Sequence, residues 1–247
     1  MRHGGIDPSL KRVFQRRLLR WYRYHGRDLP WRKTRDPYHI LVSEVMLQQT
    51  QVERVLGFYD RFLTRYPTVE GLASATSSQV REVWDGLGYY ARAKNLHRTA
   101  RRVIHHHGGQ FPRNYEEAHA LPGVGRSTAG ALLSFAFGIE TPILDTNVKR
   151  LLSRIFLQRA SPTPAQTERR LWRLSASLIP QGKAWNFNQA LMDFGALVCT
   201  AKNPRCGTCC FTDICRAYPK FMHRQDPFTP DRKRRRHPGN DVASDHL

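Results

Sequence analysis

Acidic residues are scarce in this sequence: 20 Asp and Glu stand against 40 Lys and Arg, leaving a formal charge of +20 over 247 residues. Such an imbalance disfavours cationic partners and points to a polyanion, either nucleic acid or an acidic membrane surface. Long apolar runs are missing too, and nothing approaches the roughly 20 residues needed to span a bilayer. No membrane partner is therefore expected. There is no secretory signal, so a cytoplasmic, nucleoid-associated location is the expectation. Cysteine is confined to five residues between Cys199 and Cys215. An odd, clustered set is no disulfide framework and agrees with a reducing compartment. Strand-like alternation of useful length is absent, as is any internal repeat.

Helical periodicity fills what remains. The Arg-rich start could pass for a transit peptide, but Leu10, Val13, Phe14, Leu18 and Trp21 fall at helical spacing and predict a packed amphipathic helix. Residues 38–66 repeat apolar positions every three to four, "SSQVREVWDGLG" reads as a capped helix ended by Gly, and "RRVIHHH" is stopped by "GG". "DTNVKRLLSRIF" opens on Asp145 as N-cap, and "TPAQTERRLWRLSASLIP" is amphipathic. The fold class is all-α with short connections. Residues 219–247 lose the periodicity and hold the run "RKRRR", which reads as a disordered basic tail.

Three local patterns carry chemistry. In "LPGVGRSTAG" (Leu121 to Gly130) two glycines precede a helix that Ser127 or Thr128 could cap. A tight turn feeding a helix N-terminus gathers unpaired N–H groups and suits an anion. The cysteines follow the spacing Cys199-x6-Cys206-x2-Cys209-x5-Cys215, with Cys210 as an extra. Four thiolates this close suit a tetrahedral metal centre, zinc or an iron–sulfur cluster. The loop inside this cluster carries Lys202 and Arg205, so a bound metal would brace a basic, DNA-binding loop. The third pattern is a pair of carboxylates in unlike settings. Glu44 lies in the apolar stretch "ILVSEVML", where desolvation would keep it protonated. Asp145, as an N-cap, would accept backbone N–H bonds that favour its charged form.

"LPGVGRSTAG", an Asp 18 positions after Ser127, and the cysteine spacing together resemble the helix-hairpin-helix DNA glycosylases of the endonuclease III type. "LPWRKTRDPYHILVSEVMLQQTQV", "GLGYYARAKNLH", "TPILDTNVKRLLSR" and "FNQALMDFGALVCT" resemble the A/G-specific adenine glycosylases among them, the MutY type. The resemblance covers residues 10–217 and implies two helical domains flanking a DNA groove. One spans 30–140 and holds the hairpin. The other joins 1–29 to 141–218 and holds a [4Fe–4S] cluster on Cys199, Cys206, Cys209 and Cys215. The chain given ends at residue 247, which implies a member without the nudix-like domain that usually follows.

The resemblance also implies the site. Glu44 would protonate N7 of adenine and then activate water. Asp145 would stabilise the cationic sugar of an oxocarbenium-like transition state, assisted by Asn147. Gln49 would fill the gap left by a flipped nucleotide, with Leu47, Thr50 and Tyr89 near the opposing base. Gly123 and Gly125 would hold a DNA phosphate, helped by a monovalent cation. Leu29, Trp31, Arg32 and Gln189 would line the base pocket. Ser127 stands where bifunctional relatives carry a Schiff-base Lys, which implies a monofunctional enzyme. The partner would be duplex DNA with a mispaired or damaged base, bound by a monomer. Two other readings stay open: a glycosylase for thymine or uracil opposite guanine, and a non-enzymatic, metal-stabilised DNA-binding module.

Overall fold

The computed structural model describes residues 6–157 and 163–222. Twelve α-helices account for most of them: α1 (Pro8–His25), α2 (Pro37–Met46), α3 (Val52–Arg65), α4 (Val69–Ser74), α5 (Ser77–Val83), α6 (Ala91–His107), α7 (Tyr115–His119), α8 (Arg126–Phe137), α9 (Thr146–Phe156), α10 (Pro164–Leu178), α11 (Ala184–Leu197) and α12 (Tyr218–Met222). The described residues contain no strand, and none of their helices is long and apolar enough to cross a membrane.

Local signals set most boundaries. Asp7 caps α1 by accepting from the N–H groups of Ser9 and Leu10, and Asp36 does the same for α2 through Tyr38 and His39. Thr76 opens α5, in a reciprocal capping box with Gln79. Gly108 ends α6 in the left-handed conformation. The apolar stretch 38–66 divides into α2 and α3 at the turn around Gln49. The basic tail expected from residue 219 begins later, because residues 219–222 belong to α12. The rest of it, 223–247, lies outside the described residues.

The core is one connected cluster of buried side chains. Phe14 and Leu18 carry α1 into it, Phe14 meeting Phe156 edge-on at 5.0 Å and Phe211 at 4.8 Å. α1 packs on α11, α11 on α9 and α8, and α8 on α2. These contacts bring the α2 face that carries Glu44 toward the N-terminus of α9.

Candidate active site

The segment leading into α9 is pinned atom by atom. Thr141 Oγ1 donates to the Gly130 carbonyl at 2.9 Å. Asn188 Nδ2 donates to the Thr141 carbonyl at 2.9 Å, and Ser175 Oγ to that of Ile143 at 2.8 Å. The segment lies directly against α8, so a Cβ on Gly130 would run into the Pro142 carbonyl. The N–H of Leu144 donates to Ser127 Oγ at 3.1 Å. Ser127 therefore does not cap α8 as its position suggested. Gly125 is the N-cap, and no side chain caps this helix. The Ser127 hydroxyl instead fixes the backbone one residue before Asp145.

Asp145 caps α9, accepting from the Val148 N–H at 2.7 Å and from Asn147 Nδ2 at 3.3 Å. The expectation that capping would lower its pKa is not met. Burial pushes the carboxyl above its ordinary value, outweighing those bonds and the nearby Arg150 charge. Arg150 extends the network: it donates to Asn147 Oδ1 at 2.8 Å, to the Gly195 carbonyl at 2.6 Å and, through Nε, to the Cys199 carbonyl at 2.7 Å. One guanidinium thus connects the cysteine loop to the amide that holds Asp145.

Glu44 is partly buried on α2. No hydrogen-bond donor of the described residues reaches its carboxyl. Desolvation raises its pKa to about 8, the Asp145 charge adds to the rise, and Arg32 opposes it. The two carboxyls therefore share one site. Asp145 has donors that favour its anion and Glu44 has none, so Asp145 ionises first and Glu44 keeps its proton near neutrality.

Around them, Leu29 and Trp31 are buried, Trp31 edge-on to Tyr59 at 5.2 Å. Gln189 is buried with Oε1 unpaired, and the buried Arg32 Nε also lacks a partner. Arg32 closes this wall through a bidentate contact to Asp193, at 2.6 and 2.8 Å. Asp193 is fully buried and also binds Arg27. Burial alone would raise its carboxyl, but the hydrogen bonds and charges of Arg32 and Arg27 leave it below the usual value.

Gln49 and Tyr89 share a backbone property. Both are non-glycine residues in the left-handed region, with φ of 58° and 51°, and both are exposed. Such strain persists only where surrounding structure enforces it. The enforcing group is Arg92, which sequence reasoning missed. Its buried Nη1 donates to the carbonyls of Val45, Met46 and Gln48 at 3.2, 2.6 and 2.5 Å, and its Nη2 to that of Gly88 at 3.1 Å. It also lies 5.3 Å from the Tyr89 ring centroid. The one available signal was an Arg four residues after a Gly-rich turn, in the first turn of a helix. Replacing Arg92 with Met removes these four bonds and should cost about 2–4 kcal/mol, although the Val45, Gln48 and Gly88 carbonyls keep contacts from the Gln48 N–H, Thr50 Oγ1 and Trp84 Nε1. Thermal melting measures that loss. Faster amide exchange at 47–50 and 88–91, beyond exchange elsewhere, distinguishes released loops from general destabilisation.

The remaining expected contacts sit near these loops. Leu47 is partly buried, and Thr50 Oγ1 donates to the Gln48 carbonyl at 3.4 Å. Gly123 turns at φ +74°, and a Cβ there would collide with Asn95. Gly125 has extended backbone and open space around it. Gln48 Nε2 reaches the Gly123 carbonyl at 3.5 Å, joining the hairpin to the α2 turn.

At the other end, Cys199, Cys206, Cys209 and Cys215 line one pocket. Cys210 does not; its carbonyl accepts from Arg17 at 2.9 Å. Cys210 thus stays the extra cysteine that its spacing made it. Arg154 is buried beside the pocket and donates to Cys199 Sγ at 3.5 Å. Burial holds the Cys209 thiol up at about 12, so a bound metal must displace its proton. Lys202 and Arg205 are exposed on the loop between the first two cysteines.

Comparison with known proteins agrees with the helical fold and the cysteine loop. Residues 42–177 match the family described as HhH-GPD superfamily base excision DNA repair protein, and residues 199–215 the iron–sulfur binding domain of endonuclease III. The chain is 44% identical over 225 residues to the adenine DNA glycosylase of Rattus norvegicus, covering 87% of this chain and 44% of that one. With the adenine DNA glycosylase of Buchnera aphidicola subsp. Baizongia pistaciae it shares 41% over 207 residues, covering 83% and 58%. The chain spans about half the length of the curated relatives it matches. A solved thermostable thymine-DNA glycosylase superposes with a TM-score of 0.79 at 34% identity, covering 87% of this chain and 100% of that one. An endonuclease III–DNA covalent intermediate shares the fold, with a TM-score of 0.74 at 24% identity, covering 88% and 100%. The all-helical fold with its glycine hairpin and four-cysteine loop thus has a family: this chain belongs to the HhH-GPD superfamily of base excision DNA repair proteins and carries the iron–sulfur binding domain of endonuclease III.

Proposed function

We propose that this chain is a monofunctional DNA glycosylase that extrudes adenine mispaired with 8-oxoguanine or guanine and hydrolyses its N-glycosidic bond, leaving an abasic site. The carrying observation is the coupled pair of Glu44 and Asp145, one without hydrogen-bond donors and the other supplied with them. Protonated Glu44 gives its proton to N7 of the base, and the glycosidic electron pair leaves with the base. Ionised Asp145 stabilises the positive charge at C1′. Water then attacks C1′ and returns a proton to Glu44. Gln49 and Tyr89, on loops fixed by Arg92, fill and flank the vacated stack. The hairpin at Gly123 and Gly125 and the uncapped N-terminus of α8 hold a phosphate, with a monovalent cation assisting. Leu29, Trp31, Arg32 and Gln189 line the base pocket, and the unpaired Gln189 Oε1 suits an amino group on the base edge.

Cys199, Cys206, Cys209 and Cys215 would hold the [4Fe–4S] cluster, which when bound cross-links the loop bearing Lys202 and Arg205. Ser127 offers no amine, so no Schiff base forms and strand cleavage requires alkali. The enzyme acts as a monomer on chromosomal DNA. The curated adenine glycosylase relatives favour adenine. The second reading, thymine or uracil opposite guanine, is carried into the test because a thymine-DNA glycosylase shares this fold.

The test is single-turnover incubation with duplexes carrying A opposite 8-oxoguanine, A opposite G, T opposite G and U opposite G. Alkali-dependent breaks at the adenine, with no borohydride-trapped adduct, are expected. Breaks only at T or U opposite G would replace adenine with the second reading, and breaks in none would leave a DNA-binding module.

A further inference from the structure

α1 turns an unusual face outward. Phe14, Leu18 and Trp21 point into the core, Trp21 edge-on to Phe194 at 4.8 Å. Arg12, Arg16, Arg20 and Arg23 recur every three to four residues on the opposite side and are all exposed. Arg16, Arg20 and Arg23 have no carboxylate partner among the described residues. Two open cavities of about 660 and 750 Å³ run along this face, and Leu19, Arg23 and Lys183 line both, so they form one continuous groove. Asp28 is the one acidic residue lining it, and Lys33 holds Asp28 at 2.8 Å. Aromatic rings accompany the cations: Tyr24, with 70% of its surface exposed, is more open than Tyr89 at 62%, and Tyr22 and Trp185 line the adjoining cavity.

This groove is remote from the hairpin and shares with the base-pocket wall only Arg32, which lines one of its two cavities. Gly182 donates to Glu140 at 2.8 Å, and Arg35, stacked 4.7 Å from the Trp185 ring centroid, donates to the Phe135 carbonyl. Both contacts put its floor at the C-terminal end of α8, whereas Gly125 caps the N-terminal end. Ten residues of helix separate the two, about 15 Å.

We propose that the groove between α1 and the segment 180–186, which leads into α11, is a second nucleic-acid site that takes single-stranded DNA or RNA. A row of unpaired cations tracks a phosphate backbone, and open aromatic rings offer stacking surfaces that only unpaired bases can use. A purely acidic protein segment would satisfy the arginines but leave Tyr24 without a partner.

The experiment is fluorescence anisotropy of labelled oligothymidine of about 20 nucleotides on the full chain, titrated with salt. The comparisons are R16E/R20E, Tyr24→Ala and, on the cysteine loop, K202E/R205E. R16E/R20E should weaken oligothymidine binding at least tenfold and reduce the salt slope by about 1.4. Tyr24→Ala should weaken it about fivefold or more. Both should leave single-turnover excision from a lesion duplex unchanged, and all the substituted positions are exposed, so folding is preserved. K202E/R205E should weaken the duplex and spare the single strand. Unchanged oligothymidine binding in R16E/R20E, its full displacement by saturating lesion duplex, or tighter binding of an oligoglutamate peptide to the same groove would each overturn the proposal.

Discussion

Glu44→Gln stops base release while the duplex still binds. Gln fills the same volume but has no acidic proton to give, and a positioned general acid contributes roughly 10²–10⁴ in rate. Single-turnover excision should therefore fall about 10³-fold, with the dissociation constant for the lesion duplex changed less than about threefold. The wild-type rate should also decline as pH rises through about 8, where Glu44 loses its proton. Stability follows the same group. Its folded pKa lies above the ordinary 4.5, so its contribution is full below pH 4.5 and lost as pH rises through about 8. That loss amounts to about 5 kcal/mol. Melting curves from pH 5 to 9 should consequently show a flatter profile for Glu44→Gln than for the wild type, with the variant the more stable at pH 9. Parallel profiles, or an excision rate flat to pH 9, would remove Glu44 as the acid.

What could be read from the sequence, and what could not, divides along chain separation. Asp145 as an N-cap, Gly108 as a helix stop and the apolar setting of Glu44 are signals within four residues of themselves, and the structure keeps them. The direction of the Asp145 shift was misjudged because capping is local, while the desolvation that outweighs it comes from helices that close over the site. The cap of α8 was misassigned for a similar reason. Ser127 has a free hydroxyl in any local view, but Leu144, 17 residues on, claims it. Arg92 and Arg150 were invisible because their partners are carbonyls, which no side-chain pattern marks, up to 47 and 49 residues away. The positive φ of Gln49 and Tyr89 follows from Arg92, not from either residue's own preference.

Asp193 carries the largest expected loss of stability. It stood inside a quoted motif without being singled out, since an Asp in an apolar helix has no meaning until its partners are placed. Those partners, Arg27 and Arg32, precede it by 166 and 161 residues. Its side chain is fully buried, and the Arg32 side chain is 6% exposed. Asp193→Ala leaves one guanidinium buried without a counter-charge, which costs about 3–5 kcal/mol. The melting temperature should fall by roughly 10 °C. Asp193→Asn keeps the shape and the acceptor oxygen, so it should lose about half as much. A second readout ties this cluster to chemistry. Arg32 already pulls the Glu44 pKa down, and Asp193 offsets that pull by neutralising Arg32. Removing the aspartate charge strengthens Arg32 at Glu44, so the alkaline limb of the excision profile should move below pH 8 in both variants. An Asn variant that melts lower but keeps its limb at pH 8 would show that the cluster braces the fold and leaves the acid untouched. A limb displaced by the same amount in Ala and Asn, despite their different melting temperatures, would show that charge alone carries the coupling.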